Sequence, residues 1–279
     1  ATLGVFTYAS VRLLPLLNKL THLVGDIRFL SYSAELVSKE LNFLNKNYNL
    51  NNRQELYIDK IQTIELSNIE FSYKKPVLNK LSLQLNKGSI TGVFGEAGAG
   101  KTTLLDILSS LIIPDKGQIF INNKNIDPKN FFWGKSVGYI SQSSDLFNDT
   151  IRNNIAFGEI AEDIDEEKIK YSLGASNLNE FIKELPDGID TMVGEKGSQI
   201  SSGQKQRINI ARAFYNDTKV LIMDESTNAL DAENEANIFN DISKIKENLI
   251  VLVISHDKEL LKKFCDNIFV LKNKKLSKI

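Results

Sequence analysis

Between residues 16 and 44, apolar side chains recur at Leu16, Leu20, Leu23, Ile27, Leu30, Ala34, Val37, Leu41 and Leu44, in steps that alternate four and three. That spacing predicts one long amphipathic helix of about 45 Å, with an apolar seam and a polar opposite face. The polar, turn-rich run NKNYNLNNRQE (Asn45 to Glu55) reads as a linker. From Ile61 the period falls to two. IQTIELSNIEFSY and VLNKLSLQL alternate as strands do, and SITGVF, GQIFINNKNI, VGYIS, KVLIMDE, LIVLVIS and NIFVLK continue the pattern. TTLLDILSSLI (Thr102 to Ile112) has helical spacing. Asp165 to Tyr215 is mainly helical, broken at LPDGIDTMVGEKGSQ. Strands interleaved with helices predict an α/β core around a parallel sheet, with the central helical block inserted into it.

The first seventeen residues, ATLGVFTYASVRLLPLL, hold one charge, Arg12, and contain Pro15. They read as the end of a transmembrane helix whose beginning lies upstream, with a buried helix of a soluble domain as the alternative. They lack the basic n-region of a signal peptide. His22 lies beside the seam as a tolerated helix residue. The 279 residues are 42% hydrophobic and 25% charged, enough to bury a full core, and the net charge of -1 gives no basic bias toward nucleic acid. The single cysteine, Cys265, excludes an internal disulfide and fits a packing role in a reducing compartment.

Chemistry enters with VFGEAGAGKTT (Val93 to Thr103). Its frame is G-x-x-x-x-G-K-T, with Gly95, Gly100, Lys101 and Thr102 in register between a predicted strand and a predicted helix. This is a phosphate-loop pattern. Backbone N–H groups from Gly95 through Glu96, Ala97, Gly98, Ala99 and Gly100 to Thr103 turn toward an anion, the helix dipole adds to them, and Lys101 reaches the terminal phosphates. The pattern implies a bound nucleoside triphosphate. Far downstream, VLIMDE (Val220 to Glu225) is an apolar strand ending in two carboxylates. Beside a phosphate loop, Asp224 is a holder of Mg²⁺ together with the Thr102 hydroxyl. Glu225 then faces the attacking water as general base.

ISSGQKQRINIARAF (Ile200 to Phe214) resembles the signature helix of the ATP-binding cassette (ABC) ATPases, usually L-S-G-G-Q followed by a basic helix. Further motifs follow that family's order. The resemblance implies that Tyr73 stacks on adenine and that Gln142 of YISQ senses Mg²⁺ and water. It makes NALD, ending at Asp231, the D-loop, and His256 of ISHD the switch residue at the γ-phosphate. Ser201, Ser202, Gly203 and Gln204 would close on the ATP held by a second copy of the chain in a head-to-tail dimer. The implied fold is α/β: a phosphate-loop ABC ATPase core with an antiparallel β subdomain and an inserted α-helical subdomain near residues 143–217, preceded by a long N-terminal helix. Residues 1–58 are expected to form the end of the last transmembrane helix, an amphipathic cytosolic extension and a linker, and residues 59–279 the nucleotide-binding domain.

The sequence departs from the family pattern at Ala97, often serine, at Ile200 for leucine, and at Ser202 for the first signature glycine, where a side chain crowds the dimer contact. VGEKGSQIS (Val193 to Ser201) and LFNDTIRNNIAFG (Leu146 to Gly158) resemble exporter-type cassettes, the second being the segment that meets coupling helices. RLLPLLNKL resembles exporters of lipid-linked sugars. The resemblance implies a half-transporter at the cytoplasmic face of the inner (plasma) membrane, partnered by a second copy and by its transmembrane domain, with no nucleic acid. A soluble ABC ATPase acting on nucleic acid or ribosomes is the first alternative. A non-hydrolysing regulatory module is the second, though it would be expected to lack Glu225 or His256.

Overall fold

A computed structural model describes residues 2–47, 54–55, 58, 60–143, 145–225 and 232–279. Contacts divide the chain into two compact units, Ala1–Arg53 and Gln54–Ile279. The first contains one helix, α1 (Thr2–Asn47), which continues through Pro15 and into the predicted linker. The apolar start and the seam are thus one element. Seam residues Leu16, Leu20, Leu23, Ile27, Leu30, Val37 and Leu41 are all exposed. At about 100° per residue, Leu14, Phe29, Tyr32, Leu36 and Phe43 fall on the opposite side, and they too are exposed. This corrects the expected amphipathic helix. α1 carries two opposed apolar stripes, separated by flanks bearing Asp26 and Glu40 on one side and Arg28, Glu35 and Lys39 on the other. Among the described residues, no helix is long and apolar enough to cross a membrane.

The second unit opens with β1 (Gln54–Glu55) and the long antiparallel pair β2 (Thr63–Ser72) and β3 (Pro76–Asn86). In β2 the alternation buries Ile64 and Leu66, then Ile69 and Phe71. The phase shift comes from a bulge at Asn68, whose φ of 51° adds one residue to the strand. β4 (Ile90–Phe94) runs through a loop into α2 (Lys101–Leu108). α2 stops short of the predicted Ile112 because Ser110 turns left-handed at φ 60°. β5 (Lys116–Ile121) and β6 (Lys124–Ile126) complete a four-stranded sheet in the order β3-β2-β5-β6. β7 (Phe131–Phe132) pairs in parallel with β1, and β8 (Val137–Ile140) follows.

Four helices then form a block with its own core: α3 (Ile151–Ile155), α4 (Glu166–Ala175), α5 (Asn179–Glu184) and α6 (Ser202–Tyr215). Ile151, Ile155, Ile169, Leu178, Val193 and Ile208 fill that core. The chain returns through β9 (Val220–Asp224), α7 (Ala232–Ile245), β10 (Ile250–Ser255), α8 (Lys258–Phe264), β11 (Asn267–Lys272) and β12 (Lys275–Lys278). The six-stranded sheet has the order β12-β11-β4-β10-β9-β8. All its pairings are parallel except the β11–β12 hairpin. The pattern of apolar residues did not reveal β12. It is a polar edge strand, closed by Asn273 and Lys274 at φ 51° and 65°, the two left-handed positions of a tight hairpin. β10 is buried at every position because parallel neighbours flank it and both sheet faces are covered.

α6 lies so close to β8 that a Cβ on Gly138 would stand 2.6 Å from Ala213 Cβ. Gly138→Ala is therefore expected to destabilise the chain by about 1–3 kcal/mol, the range for overpacking a filled core, as read by denaturant unfolding. Removal of residues 1–53 is expected to leave the cooperative unfolding of the rest unchanged. Loss of folding in the truncated chain would show that α1 is integral to the second unit.

Candidate functional site

The loop between β4 and α2 owes its shape to two glycines. Gly98 has φ 75° and Gly100, the cap residue of α2, φ 103°, a region where an L side chain is strained. A Cβ on Gly100 would also meet Val77 Cγ1 at 3.0 Å. No side chain caps α2. Its first N–H groups, which have no intrahelical partners, remain for an anion. Lys101 opens the helix and is 8% exposed. Its ammonium donates to the carbonyls of Gly95 at 2.8 Å and Glu96 at 3.2 Å, and lies 3.1 Å from Glu225 Oε1. The lysine is thus folded over its own loop and paired across it to the end of another strand.

That strand is β9. It ends at Asp224, and Glu225 then leaves the sheet at φ 46°, with its N–H donating to Ile254 O at 3.0 Å. The Asp224 Oδ2 atom accepts a hydrogen bond from the Tyr139 hydroxyl at 2.8 Å. Burial raises the Asp224 pKa from the ordinary carboxylate value. The Tyr139 hydrogen bond opposes the rise, Glu225 adds to it, and Lys101 opposes it. Asp106, in α2, is raised by burial and then by the charge of Asp224. The Tyr139 phenol is pushed well up by burial and by the adjoining Asp224 carboxylate. These neighbouring acids raise one another, and Lys101 is the one opposing cation among the described residues, an arrangement that a metal cation would relieve.

A cleft of about 340 Å³ gathers most of the sequence-predicted groups. Ala97, Gly98, Gly100, Lys101, Thr102 and Thr103 line it from the loop and α2, Gln142 from the bend after β8, and Asp224 with Glu225 from β9. Tyr73 borders it from the β2–β3 turn and Val77 from the start of β3. Tyr73 is 64% exposed, its ring edge-to-face with Phe71 at 4.9 Å between centroids. A larger hollow of about 410 Å³, lined by Lys135, Asp217 and Lys219 among others, lies at the start of β8 and β9, away from these groups.

Other predicted residues stand apart from the cleft lining. Gly95, Glu96 and Ala99 belong to the loop, but the first two meet Lys101 through their carbonyls. His256 is exposed just past β10. Ser201 caps α6: its hydroxyl accepts from the Gln204 N–H at 3.3 Å, and the Gln204 side chain accepts from the Ser201 N–H at 3.1 Å. Ser201 and Ser202 are exposed, beside Gly203. Within one chain these four residues form a helix start on the surface. Asp231 and the rest of NALD lie outside the described residues. Sequence reasoning missed Tyr139, which it read only as a strand position. Its relation to Asp224 depends on β8 lying beside β9, which no local pattern reveals.

Comparison with known proteins supports one family. The sequence profile described as ABC transporter matches residues 78–228. The heterocyst differentiation ATP-binding protein of Nostoc sp. is 34% identical over 262 residues, 92% of this chain and 42% of its own. The leukotoxin translocation ATP-binding protein of Mannheimia glucosida is 34% identical over 271 residues, 95% of this chain and 37% of its own. The ATP-dependent lipid A-core flippase of Syntrophus aciditrophicus is 37% identical over 197 residues, 70% of this chain and 32% of its own. Among solved structures, a bacterial Atm1-family ABC exporter with ATP bound matches with a TM-score of 0.69 at 29% identity, over 81% of this chain and 40% of that one. The chain spans less than half the length of each of these relatives. With a glycine-shaped loop before α2, a carboxylate pair at the end of β9 and a capped start to α6, the chain belongs to the ABC transporter family.

Proposed function

We propose that the chain is the ATP-hydrolysing unit of an exporter-type half-transporter, its nucleotide-binding domain being residues 59–279. One observation carries the reading: Lys101, Thr102, Gln142, Asp224 and Glu225 share a single cleft with the glycine loop and an aromatic side chain. Tyr73 offers a face for adenine. The backbone from Gly95 to Thr103 and the Lys101 ammonium hold the phosphates. Thr102, Gln142 and Asp224 supply oxygen donors with a single carboxylate. Among the described residues no cluster of three or more His, Cys, Asp or Glu fits a metal. So sparse and hard a donor set fits Mg²⁺ shared with substrate phosphates. Bound there, Mg²⁺ would neutralise charge on the phosphate oxygens.

Glu225 takes the proton of a water as that water bonds to the γ-phosphorus. The bond to the oxygen bridging the β- and γ-phosphates breaks, and ADP leaves with that electron pair. His256, beyond the cleft lining of this chain, would contact the γ-phosphate when the site closes. Ser201, Ser202, Gly203 and Gln204 would close over the ATP of a second copy head-to-tail, with Asp231 at the same interface. The transmembrane domain would dock on the helical block. There Phe147 and Phe157 stack at 4.4 Å, are 54% and 50% exposed, and lie under the Arg212 guanidinium at 6.0 and 5.3 Å. The apolar start of α1 would continue a membrane helix, placing this unit at the cytoplasmic face of the inner (plasma) membrane. The names of the leukotoxin and lipid A-core relatives support export or flipping, and the second supports a lipid-linked or glycolipid substrate.

Glu225→Gln is expected to lower kcat by at least ~100-fold, the scale for a positioned base, while nucleotide binding survives. Near-normal turnover would reassign the base. Lys101→Ala should instead weaken nucleotide binding itself, measured by fluorescent-nucleotide titration. Tyr73→Ala should raise KM for ATP and GTP together, since a stacked ring reads no base edge and is worth about 1–3 kcal/mol per base. Loss confined to ATP would indicate a hydrogen-bond reader. The Glu225→Gln chain should be monomeric without nucleotide and dimeric with Mg-ATP by light scattering. A tight dimer in the absence of nucleotide would point to another interface.

A further inference from the structure

The face of the parallel sheet that covers α2 carries one polar contact that the proposed hydrolysis does not use. In the β8–β9 pairing, Tyr139 stands opposite Ile222. Side chains two apart on a strand share a face, so Asp224 follows Ile222 onto the side where Tyr139 lies. The Tyr139 hydroxyl crosses to that carboxylate and donates to Oδ2 at 2.8 Å. Among the described residues this is the sole hydrogen bond of the Asp224 side chain, and none of them donates to Oδ1. Three positions beyond Tyr139, the same strand gives way to Gln142, which lines the cleft with Asp224. β8 therefore delivers two groups to one place: an amide at the cleft wall and a phenol behind the carboxylate.

We infer that Tyr139 is a positioning residue for the cation site, fixing the Asp224 carboxylate through Oδ2 so that Oδ1 is held toward the metal or a metal-bound water. The inference rests on Asp224 being the Mg²⁺-site carboxylate, as proposed above. A carboxylate at the end of a strand is free to rotate about its last torsion, and each non-productive orientation lowers the affinity of a site that has a single carboxylate. A hydrogen bond to one oxygen removes that freedom before the cation arrives, as outer partners do for metal ligands generally. Packing alone does not account for the hydroxyl. Tyr139 is 37% exposed, and a phenylalanine ring would cover the same surface without the donor. The contact also ties the strand that leads to Gln142 to the strand that ends at Asp224, so the two cleft groups keep their spacing.

The test uses the full chain carrying Glu225→Gln, so that bound ATP persists, with Mn²⁺ as the probe. ATP is kept below the protein concentration, and free Mn²⁺ is read by electron paramagnetic resonance. Adding Tyr139→Phe should weaken Mn²⁺ binding by about three- to tenfold, toward the lower end expected for an outer partner because the tyrosine is partly exposed. The same variant should bind a fluorescent ATP analogue in EDTA as its parent does, and should unfold at the same temperature. Asp224→Asn should weaken Mn²⁺ binding further, and adding Tyr139→Phe to it should have no additional effect. Unchanged or tighter Mn²⁺ binding in Tyr139→Phe, with Asp224→Asn still impaired, would overturn the role of Tyr139 alone. Equal loss of nucleotide affinity in EDTA would overturn it too, reducing Tyr139 to general support of the cleft. If Asp224→Asn binds Mn²⁺ normally, the metal-site assignment falls and the inference falls with it.

Discussion

The parallel pairing of β4, β10, β9 and β8 is the constraint on which the site depends. Neighbouring parallel strands end at one edge of a sheet, and the crevice beyond those ends is where open α/β sheets bind ligands. Here β4 delivers the glycine loop, β9 delivers Asp224 and Glu225, β8 leads to Gln142, and β10 ends at Ser255 just before His256. The register is held by strands buried on both faces, with β10 between β4 and β9. A slip of one residue would send each apolar position to the wrong layer and displace the carboxylates with it. Stability and site geometry therefore share one cause.

Charge at this edge is finely divided. Lys101, almost buried, is compensated by two loop carbonyls and by Glu225. A buried ammonium without such partners would be costly, so the glycine loop solvates its own lysine. Asp224 lies in the opposite condition. Burial favours its protonated form, while the Tyr139 hydroxyl and Lys101 favour the carboxylate. In the proposed function, bound phosphates would compete with Glu225 for Lys101, and a divalent metal would answer the excess of acid. The helical block contributes at one remove. Its capping box defines a clean helix start at Ser201, exposed on the surface and apart from the cleft lining.

α1 follows different rules. Its two opposed apolar stripes offset each other in any measure of amphipathicity, and exposed apolar side chains such as Phe29 and Leu30 occupy both. A helix of that pattern buries surface against two neighbours rather than one, whereas a single seam would suffice for a two-stranded contact. Within the second unit, by contrast, three clusters of buried residues account for both sheet faces and the helical block.

Much of this was legible in the residues. The strands around the site were visible because β4, β9 and β10 are short, apolar and fully enclosed, which leaves little freedom in reading them. The glycine loop was visible because Gly95, Gly100, Lys101 and Thr102 stand at fixed offsets, and the structure shows that Gly100 adopts a backbone angle that other residues resist. These are local demands of sterics and hydrogen bonding, so sequence alone determined them. Sequence also marked Asp224 and Glu225, since charges at the end of a buried strand need a reason to be there. Tertiary structure decided what depends on neighbours distant in the chain. The Tyr139 contact exists because β8 and β9, separated by the whole helical block, pair side by side. The extra strand β12 forms because β11 offers it an open edge, although its own residues are polar. In each case the deciding interaction joins positions that no local period connects.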